Sequence, residues 1–348
     1  MPNPEARIPN DAAPTVAVVG ATGAVGETML AILEERNFPV GKLIALASER
    51  SAGTTIRFRG QDIVVHALAT FDPKGVDIAL FSAGGATSKE HAPRFAAAGA
   101  IVVDNSSAFR YDDDVPLVIA EVNPEAIKAA PRGIIANPNC STMQMVVALA
   151  PIHRAVGIER INVATYQSVS GGGRSAMEEL GRQTAAMLRF EDADPHRFPV
   201  QIAFNLIPHI DEFQDNGYTR EEMKLVWETR KILGDDSIMV NPTAVRVPVF
   251  YGHSEAVHIE TRVKITAAQA RALLEQAPGV EVIDERKAGG YPTPVTHAAG
   301  RDPVFVGRIR EDISHPRGLD LWVVSDNIRK GAALNAVQIA ELWLINRA

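Results

Sequence analysis

Thr15-Val-Ala-Val-Val-Gly20-Ala-Thr-Gly-Ala-Val-Gly26 is a short apolar run that breaks into three glycines spaced GxxGxxG. Val16, Val18 and Val19 are β-branched and favour an extended chain. Apolar residues then recur at Met29, Leu30, Ile32 and Leu33, as on a helix that runs to Glu35. Strand, glycine turn and helix in that order predict the first unit of a dinucleotide-binding sheet. Glycines let the backbone approach a pyrophosphate closely, and the helix N-terminus adds donors and positive potential. A tight turn with no ligand is the plainer alternative.

The next strand, Lys42–Ala47, ends in Ser48-Glu-Arg-Ser-Ala-Gly53. A site for NAD places a carboxylate at this strand end, to accept from the ribose hydroxyl. Ser48, Arg50 and Ser51 offer donors for a 2′-phosphate instead, so NADP is the expected cofactor, with Glu49 turned to solvent. Further strands are predicted at Ile63–Leu68, Asp77–Phe81, Ala100–Val103 and Leu117–Ala120, with a helix over Ser88–Ala98. This alternation predicts a mostly parallel sheet. Ser82-Ala-Gly-Gly85 and Asp104-Asn-Ser-Ser-Ala-Phe-Arg110 follow strands on the edge where ligands bind. Arg110 there suits either a phosphate or carboxylate fork or a surface ion pair.

The sheet leads to Gly133-Ile-Ile-Ala-Asn-Pro-Asn-Cys-Ser-Thr142, which holds Cys140, the only cysteine in 348 residues. Ile134–Ala136 reads as a buried strand that Asn137-Pro138-Asn139 breaks. A helix is predicted to open at Ser141 or Thr142 and to run through Met145, Val146, Leu149, Ile152 and Val156. Cys140 thus stands at a strand-to-helix junction, where a helix N-terminus favours a thiolate. The same N–H groups could hold an oxyanion beside the sulfur. A buried structural cysteine is the alternative.

Composition sets bounds on the rest. A chain of this length suggests two domains. Apolar residues make up 46% and charged ones 22%, ordinary for a globular enzyme. A net charge of −7 with no basic cluster argues against a nucleic-acid surface. One cysteine allows no intrachain disulfide and fits a reducing compartment. No apolar run reaches membrane-spanning length, and residues 1–14 look like a disordered lead-in rather than a signal peptide. The expected location is cytoplasmic.

Beyond the cysteine helix the texture changes. Arg160–Ser170 alternates like a strand, and Gly171-Gly-Gly-Arg-Ser175 leads to a helix from Met177 to Met187. Phe198–Pro208 reads as irregular loop. Thr219–Leu233 is helical, with Glu221, Lys224 and Glu228 spaced at three and four. Ala256–Ile265 alternates sharply, with His258, Glu260, Arg262 and Lys264 on a wet or partner-facing side. Val304–Ile309 and Leu319–Val324 add strands, and a helix is predicted over Gly331–Asn346. The second part is therefore α+β. Among nine histidines, His253 stands out in a Gly-containing turn after a short apolar strand. No histidine and cysteine cluster suggests a metal. A Cys–His pair beside a nicotinamide suggests addition of the thiol to a carbonyl, hydride loss and a thioester.

Six ordered motifs carry a resemblance to the aspartate-semialdehyde dehydrogenase family. They are Gly20–Gly26, Ser-Ser-Ala-Phe-Arg110, Asn-Pro-Asn-Cys-Ser-Thr142, Tyr-Gln-Ser-Val-Ser-Gly-Gly-Gly173, Glu221-Glu-Met-Lys224, and Val-Arg-Val-Pro248 with Gly-His-Ser-Glu255. The resemblance implies a Rossmann-like NADP-binding domain over 15–140, completed by 326–348. It implies an α+β substrate and dimerisation domain over 141–325, in a glyceraldehyde-3-phosphate dehydrogenase-like arrangement. The implied reaction is the NADPH-dependent reduction of 4-aspartyl phosphate to aspartate 4-semialdehyde and phosphate, on the way to lysine, threonine and methionine. By resemblance Cys140 is the nucleophile, His253 the acid/base and Gln167 the residue that orients the acyl group. Asn139 joins Cys140 in the oxyanion region. Arg246 would bind the α-carboxylate, Glu221 the α-ammonium, and Arg110 with Lys224 the phosphate. Gly20, Thr22, Gly23, Ala24, Val25, Gly26, Ser48, Arg50, Ser51, Ser170, Gly171 and Asn327 are the implied cofactor contacts. A homodimer through the second domain's sheet is implied as well. N-acetyl-glutamyl-phosphate reductase shares this logic, but its cysteine is typically followed by Tyr-Pro, where Ser141-Thr142 stand here.

Overall fold

A computed structural model describes residues 13–347, so residues 1–12 of the expected lead-in lie outside it. The first of two compact units takes the chain up to Pro138 and again from Ala332. It contains β1 (Thr15–Val19), α1 (Ala24–Glu35), β2 (Lys42–Ala47), β3 (Thr55–Phe58), β4 (Gln61–Ala67), β5 (Ile78–Phe81), α2 (Gly85–Ala97), β6 (Ile101–Asp104) and β7 (Ile134–Ala136). The strands form one sheet in the order β3-β4-β2-β1-β5-β6-β7. All pairs are parallel except the β3–β4 hairpin. Val16, Val18, Ile78, Leu80 and Val103 are fully buried, as strands covered on both faces require. Because β1 pairs with β2 on one side and β5 on the other, the strand order reverses at β1. The glycine turn leaves β1 at that switch point, where open parallel sheets bind ligands.

The second unit spans Asn139–Gly331. Its elements are α3 (Cys140–Val156), β8 (Ile158–Gln167), α4 (Arg174–Leu188), α5 (Arg220–Leu233), β9 (Met239–Arg246), β10 (His253–Thr261), α6 (Ala267–Glu275), β11 (Val280–Val282), β12 (Val304–Glu311) and β13 (Gly318–Ser325). Six strands form a mixed sheet in the order β11-β12-β13-β10-β8-β9. His253, Glu255, Val257 and Ile259 alternate onto a buried face, against which α3 packs. The opposite face carries Asn162, Ala164, Tyr166, Ala256, His258 and Trp322, none of them buried. The last helix, α7 (Asn335–Arg347), belongs to the first unit, where Val337 and Ile339 join the β1–β5 core. No helix among the described residues is long and apolar enough to cross a membrane.

Four local differences from the sequence reading have physical causes. Leu117–Ala120 is no strand; Leu117 makes a single bridge to Ala136. Side chains replace the ladder there: Asn123 and Asn335 bond the backbone of Leu117, Val118, Ile119 and Ala120 at 2.8–3.0 Å. The alternating strand stops at Thr261, after a register shift, so Arg262, Val263, Lys264 and Ile265 lie outside it. Residues 247–252 form no strand either; the strand before His253 is β9, which contains Pro242 and is tolerated because it is an edge strand. The helix predicted over Gly331–Asn346 opens with a π-helical turn at Arg329–Leu334 before α7 begins.

Candidate active site

Asn139 sets the position of Cys140. Its side-chain oxygen accepts from the N–H groups of Ser141 (3.1 Å) and Thr142 (3.2 Å), an N-cap that makes Cys140 the first helical residue. The helix therefore starts one or two residues before the Ser141 or Thr142 expected. The cap is itself anchored. Asn139 N–H donates to Glu228 Oε2 (2.6 Å), and its Nδ2 donates to Glu221 Oε1 (2.9 Å). Cys140 is half-buried at a helix N-terminus, where the macrodipole favours a thiolate. The backbone of Gly331 lies against it; a Cβ there would sit 2.6 Å from that of Cys140.

Glu221 is the hub of the surrounding charges. Its Oε1 also accepts from Gln167 Nε2 (3.2 Å), and its Oε2 from Lys224 Nζ (2.9 Å). Lys224 in turn meets Asp211 Oδ2 at 2.8 Å. Burial pushes the Glu221 carboxyl up, but the Lys224 charge, hydrogen bonds from Lys224 and Asn139, and the Arg246 charge outweigh it and lower it to about 2. Glu221 is therefore an anion at neutral pH. The three-and-four spacing along α5 marks a stripe that is turned inward: Glu221 and Glu228 are buried and Lys224 nearly so.

Arg246 ends β9 beside Gln167, its register partner on β8. Its Nη1 donates to the Ser168 carbonyl (2.7 Å). Burial lowers the guanidinium's pKa, while the charges of Glu221 and Cys140 support it, so the sulfur and the guanidinium feel one another. His253 begins β10 and is fully buried. Burial and then the Arg246 charge lower its imidazole to about 3, against the Glu221 charge and the Gly252 carbonyl. The ring is neutral at pH 7. A Cβ on Gly171 would lie 3.1 Å from Arg246 Nη1 and 3.4 Å from His253 Nε2. Ser170 and Asn327 are buried and bonded to each other (3.0 Å).

Glu255 closes the last of the six motifs, but the sequence gives it no role, because it lies two residues past His253 on a strand that simply alternates. It is fully buried, and neither carboxyl oxygen has a hydrogen-bond partner at close range among the described residues. Burial raises its pKa well above 4.5, with a weak opposing influence from Gln144. A raised acid pKa stabilises the fold fully below the unfolded value, and that stability drains as pH rises towards the folded one. Glu255→Gln removes the titration. Its melting temperature, relative to the unsubstituted protein, is expected to rise as the pH climbs from the ordinary carboxyl range towards neutral. Scanning calorimetry across that range checks this; a constant or falling difference would contradict it.

The first unit holds the nucleotide candidates. Gly20 has φ +87° as the chain leaves β1. A Cβ on Gly26 would come within 2.2 Å of the Gly20 carbonyl, so the turn closes only with glycine there. Gly23 caps α1 without a side-chain bond, leaving the first-turn amides of Ala24 and Val25 for a phosphate. This cradle fits a pyrophosphate. Thr22 Oγ1 approaches Ser51 Oγ at 3.5 Å. Ser48, Glu49 and Arg50 are exposed at the turn after β2. Arg110 is buried in the same unit, its guanidinium donating to the carbonyls of Asn137 and Asn105, both at 2.9 Å. At 6% exposure Arg110 is not at the surface.

Residues 15–130 match the family model "Semialdehyde dehydrogenase, NAD binding domain", and residues 149–330 match "Semialdehyde dehydrogenase, dimerisation domain". Aspartate-semialdehyde dehydrogenase of Legionella pneumophila is 65% identical over 94% of both chains. Aspartate-semialdehyde dehydrogenase 2 of Vibrio cholerae is 62% identical over 94% of this chain and 96% of its own. Among solved structures, aspartate semialdehyde dehydrogenase II of Vibrio cholerae complexed with ASA superposes with a TM-score of 0.94 at 60% identity, covering 96% and 99% of the two chains. The enzyme of Candida albicans with NADP has a TM-score of 0.73 at 26% identity, covering 97% and 99%.

Proposed function

The chain belongs to the aspartate-semialdehyde dehydrogenase family, and on that premise we propose that it interconverts 4-aspartyl phosphate and aspartate 4-semialdehyde through a thioester on Cys140. The observation that carries this reading is the Asn139 cap. It sets Cys140 at a helix N-terminus and, through one amide, ties it to the Glu221 carboxylate. Arg246 then takes the α-carboxylate with its forked guanidinium, and Glu221 the α-ammonium. An anion at Glu221 suits an unacylated amine. It would gain nothing from an N-acetylated one. Gln167, bonded to Glu221, orients the acyl group, and the amides at Asn139 and Cys140 form the oxyanion region. His253 handles the proton of the thiohemiacetal oxygen. Arg110 and Lys224 serve the phosphate.

NADPH, when bound, supplies the hydride for reduction. Gly20, Thr22, Gly23, Ala24, Val25 and Gly26 would hold its pyrophosphate, and Ser48, Arg50 and Ser51 its 2′-phosphate. Ser170, Gly171 and Asn327 would make further contacts to it. Lysine, threonine and methionine synthesis consumes the product. We place the protein in the cytoplasm, as a homodimer formed through the open face of the second unit's sheet. The test is NADP reduction by aspartate semialdehyde and phosphate, beside N-acetyl-glutamate semialdehyde. Turnover of the first with phosphate dependence is expected. Preference for the second would overturn the assignment.

A further inference from the structure

Ser168, immediately after β8, is fully buried and bonds in four directions. Its backbone N–H donates to Nδ1 of His253 (3.1 Å), and its Oγ lies 3.0 Å from the same nitrogen. Its carbonyl accepts from Arg246 Nη1. Its Oγ is also 3.0 Å from Asn327 Oδ1 and 3.1 Å from Ser170 Oγ. Asn327 Oδ1 accepts from the N–H of Gly252 (3.0 Å), the residue before His253. A backbone amide only donates, so the Ser168 N–H bond leaves Nδ1 as the bare nitrogen; the single hydroxyl proton of Ser168 then goes to that nitrogen or to Asn327 Oδ1, not to both, and a neutral ring with Nδ1 bare carries its proton on Nε2. Nε2 is buried and has no hydrogen-bond partner among the described residues.

We propose that Ser168 is a positioning residue: its amide fixes His253 in the tautomer protonated on Nε2, and its hydroxyl couples that ring to the Asn327–Ser170 pair. This rests on the reading of His253 as the group that serves the reacting oxygen. In that tautomer His253 does not take the thiol proton; the helix terminus and Arg246 favour the thiolate. When the thiolate adds to the aldehyde, the C–S bond forms and the carbonyl π pair moves to oxygen, which Nε2–H stabilises. When the hydride leaves with its pair for NADP, the oxygen pair reforms the carbonyl and the thioester remains.

Long-range ¹H–¹⁵N spectra of histidine-labelled enzyme, with the His253 signals assigned by His253→Asn, test the tautomer without reference to activity. A pyrrole-type ε2 and a pyridine-type δ1 nitrogen are expected; a proton on δ1, or an imidazolium, overturns the proposal. Ser168→Ala keeps the amide and removes the hydroxyl. It is expected to keep the tautomer and lose about tenfold in kcat, with KM for the semialdehyde within about twofold. In unsubstituted enzyme NADP should shift the His253 nitrogens, and in Ser168→Ala it should not. A flipped tautomer in that variant, an unchanged kcat, or an undiminished NADP-induced shift would each reject the role given to Ser168. Failure of the unsubstituted enzyme to oxidise aspartate semialdehyde would instead reject the functional reading and leave the spectra standing.

Discussion

Cys140→Ala is expected to lower semialdehyde oxidation by about 10⁴-fold or more while NADP binding persists. The thiolate is the atom to which the carbonyl carbon must bond; the remaining groups only hold and polarise it. Alanine is a good helix former at the first position of α3, and the Asn139 cap uses amides that the substitution leaves in place. The cofactor cradle lies in the first unit, built from the Gly20–Gly26 turn. Turnover by spectrophotometry and NADP binding by calorimetry separate the two effects. Activity within about tenfold of the parent would remove Cys140 from the chemistry. Loss of both properties would point to a damaged fold.

Arg246→Lys is expected to reduce kcat/KM for aspartate semialdehyde by about 100- to 1,000-fold, chiefly through KM. Arg246 is buried, already spends one N–H on the Ser168 carbonyl, and has its charge supported by Glu221 and Cys140. A lysine ammonium keeps the charge but cannot both hold that carbonyl and fork onto a carboxylate. Leaving a buried carboxylate half-paired costs about 2–5 kcal/mol, which sets the range. Steady-state kinetics with the semialdehyde varied at saturating NADP and phosphate give the number. A KM within about twofold of the parent would move the carboxylate site elsewhere.

The parts of this protein legible in the sequence are those whose chemistry is local. The βα turn at Gly20 and the junction at Cys140 each announce themselves within a dozen residues, because strand, breaker and helix follow one another directly. The network that surrounds Cys140 is different. Glu228 lies 89 positions from the amide it accepts, and Asn327 lies 159 from Ser168, so no spacing rule links them. Glu221, Lys224 and Glu228 have the pattern of a solvated helix face. Only the tertiary fold shows that Asn139, Gln167 and Asp211 satisfy those charges. Residues 117–120 mislead for the opposite reason. They have strand-like composition, but two asparagine side chains take the hydrogen bonds a strand would offer its neighbour. Ser168, between Gln167 and Ser170, carries no signal of its own in the sequence, since its decisive group is a backbone N–H that every residue type but proline carries.

The claim on which the rest depends is that an acyl group rides on Cys140. Intact-mass spectrometry of the enzyme after exposure to aspartate semialdehyde and NADP, with phosphate withheld, tests it directly. The expected result is a mass increase of one aspartyl group, mapped to the peptide containing Cys140 and removed when phosphate is added. An enzyme that reduces NADP yet never gains that mass, or gains it on another residue, would contradict the account.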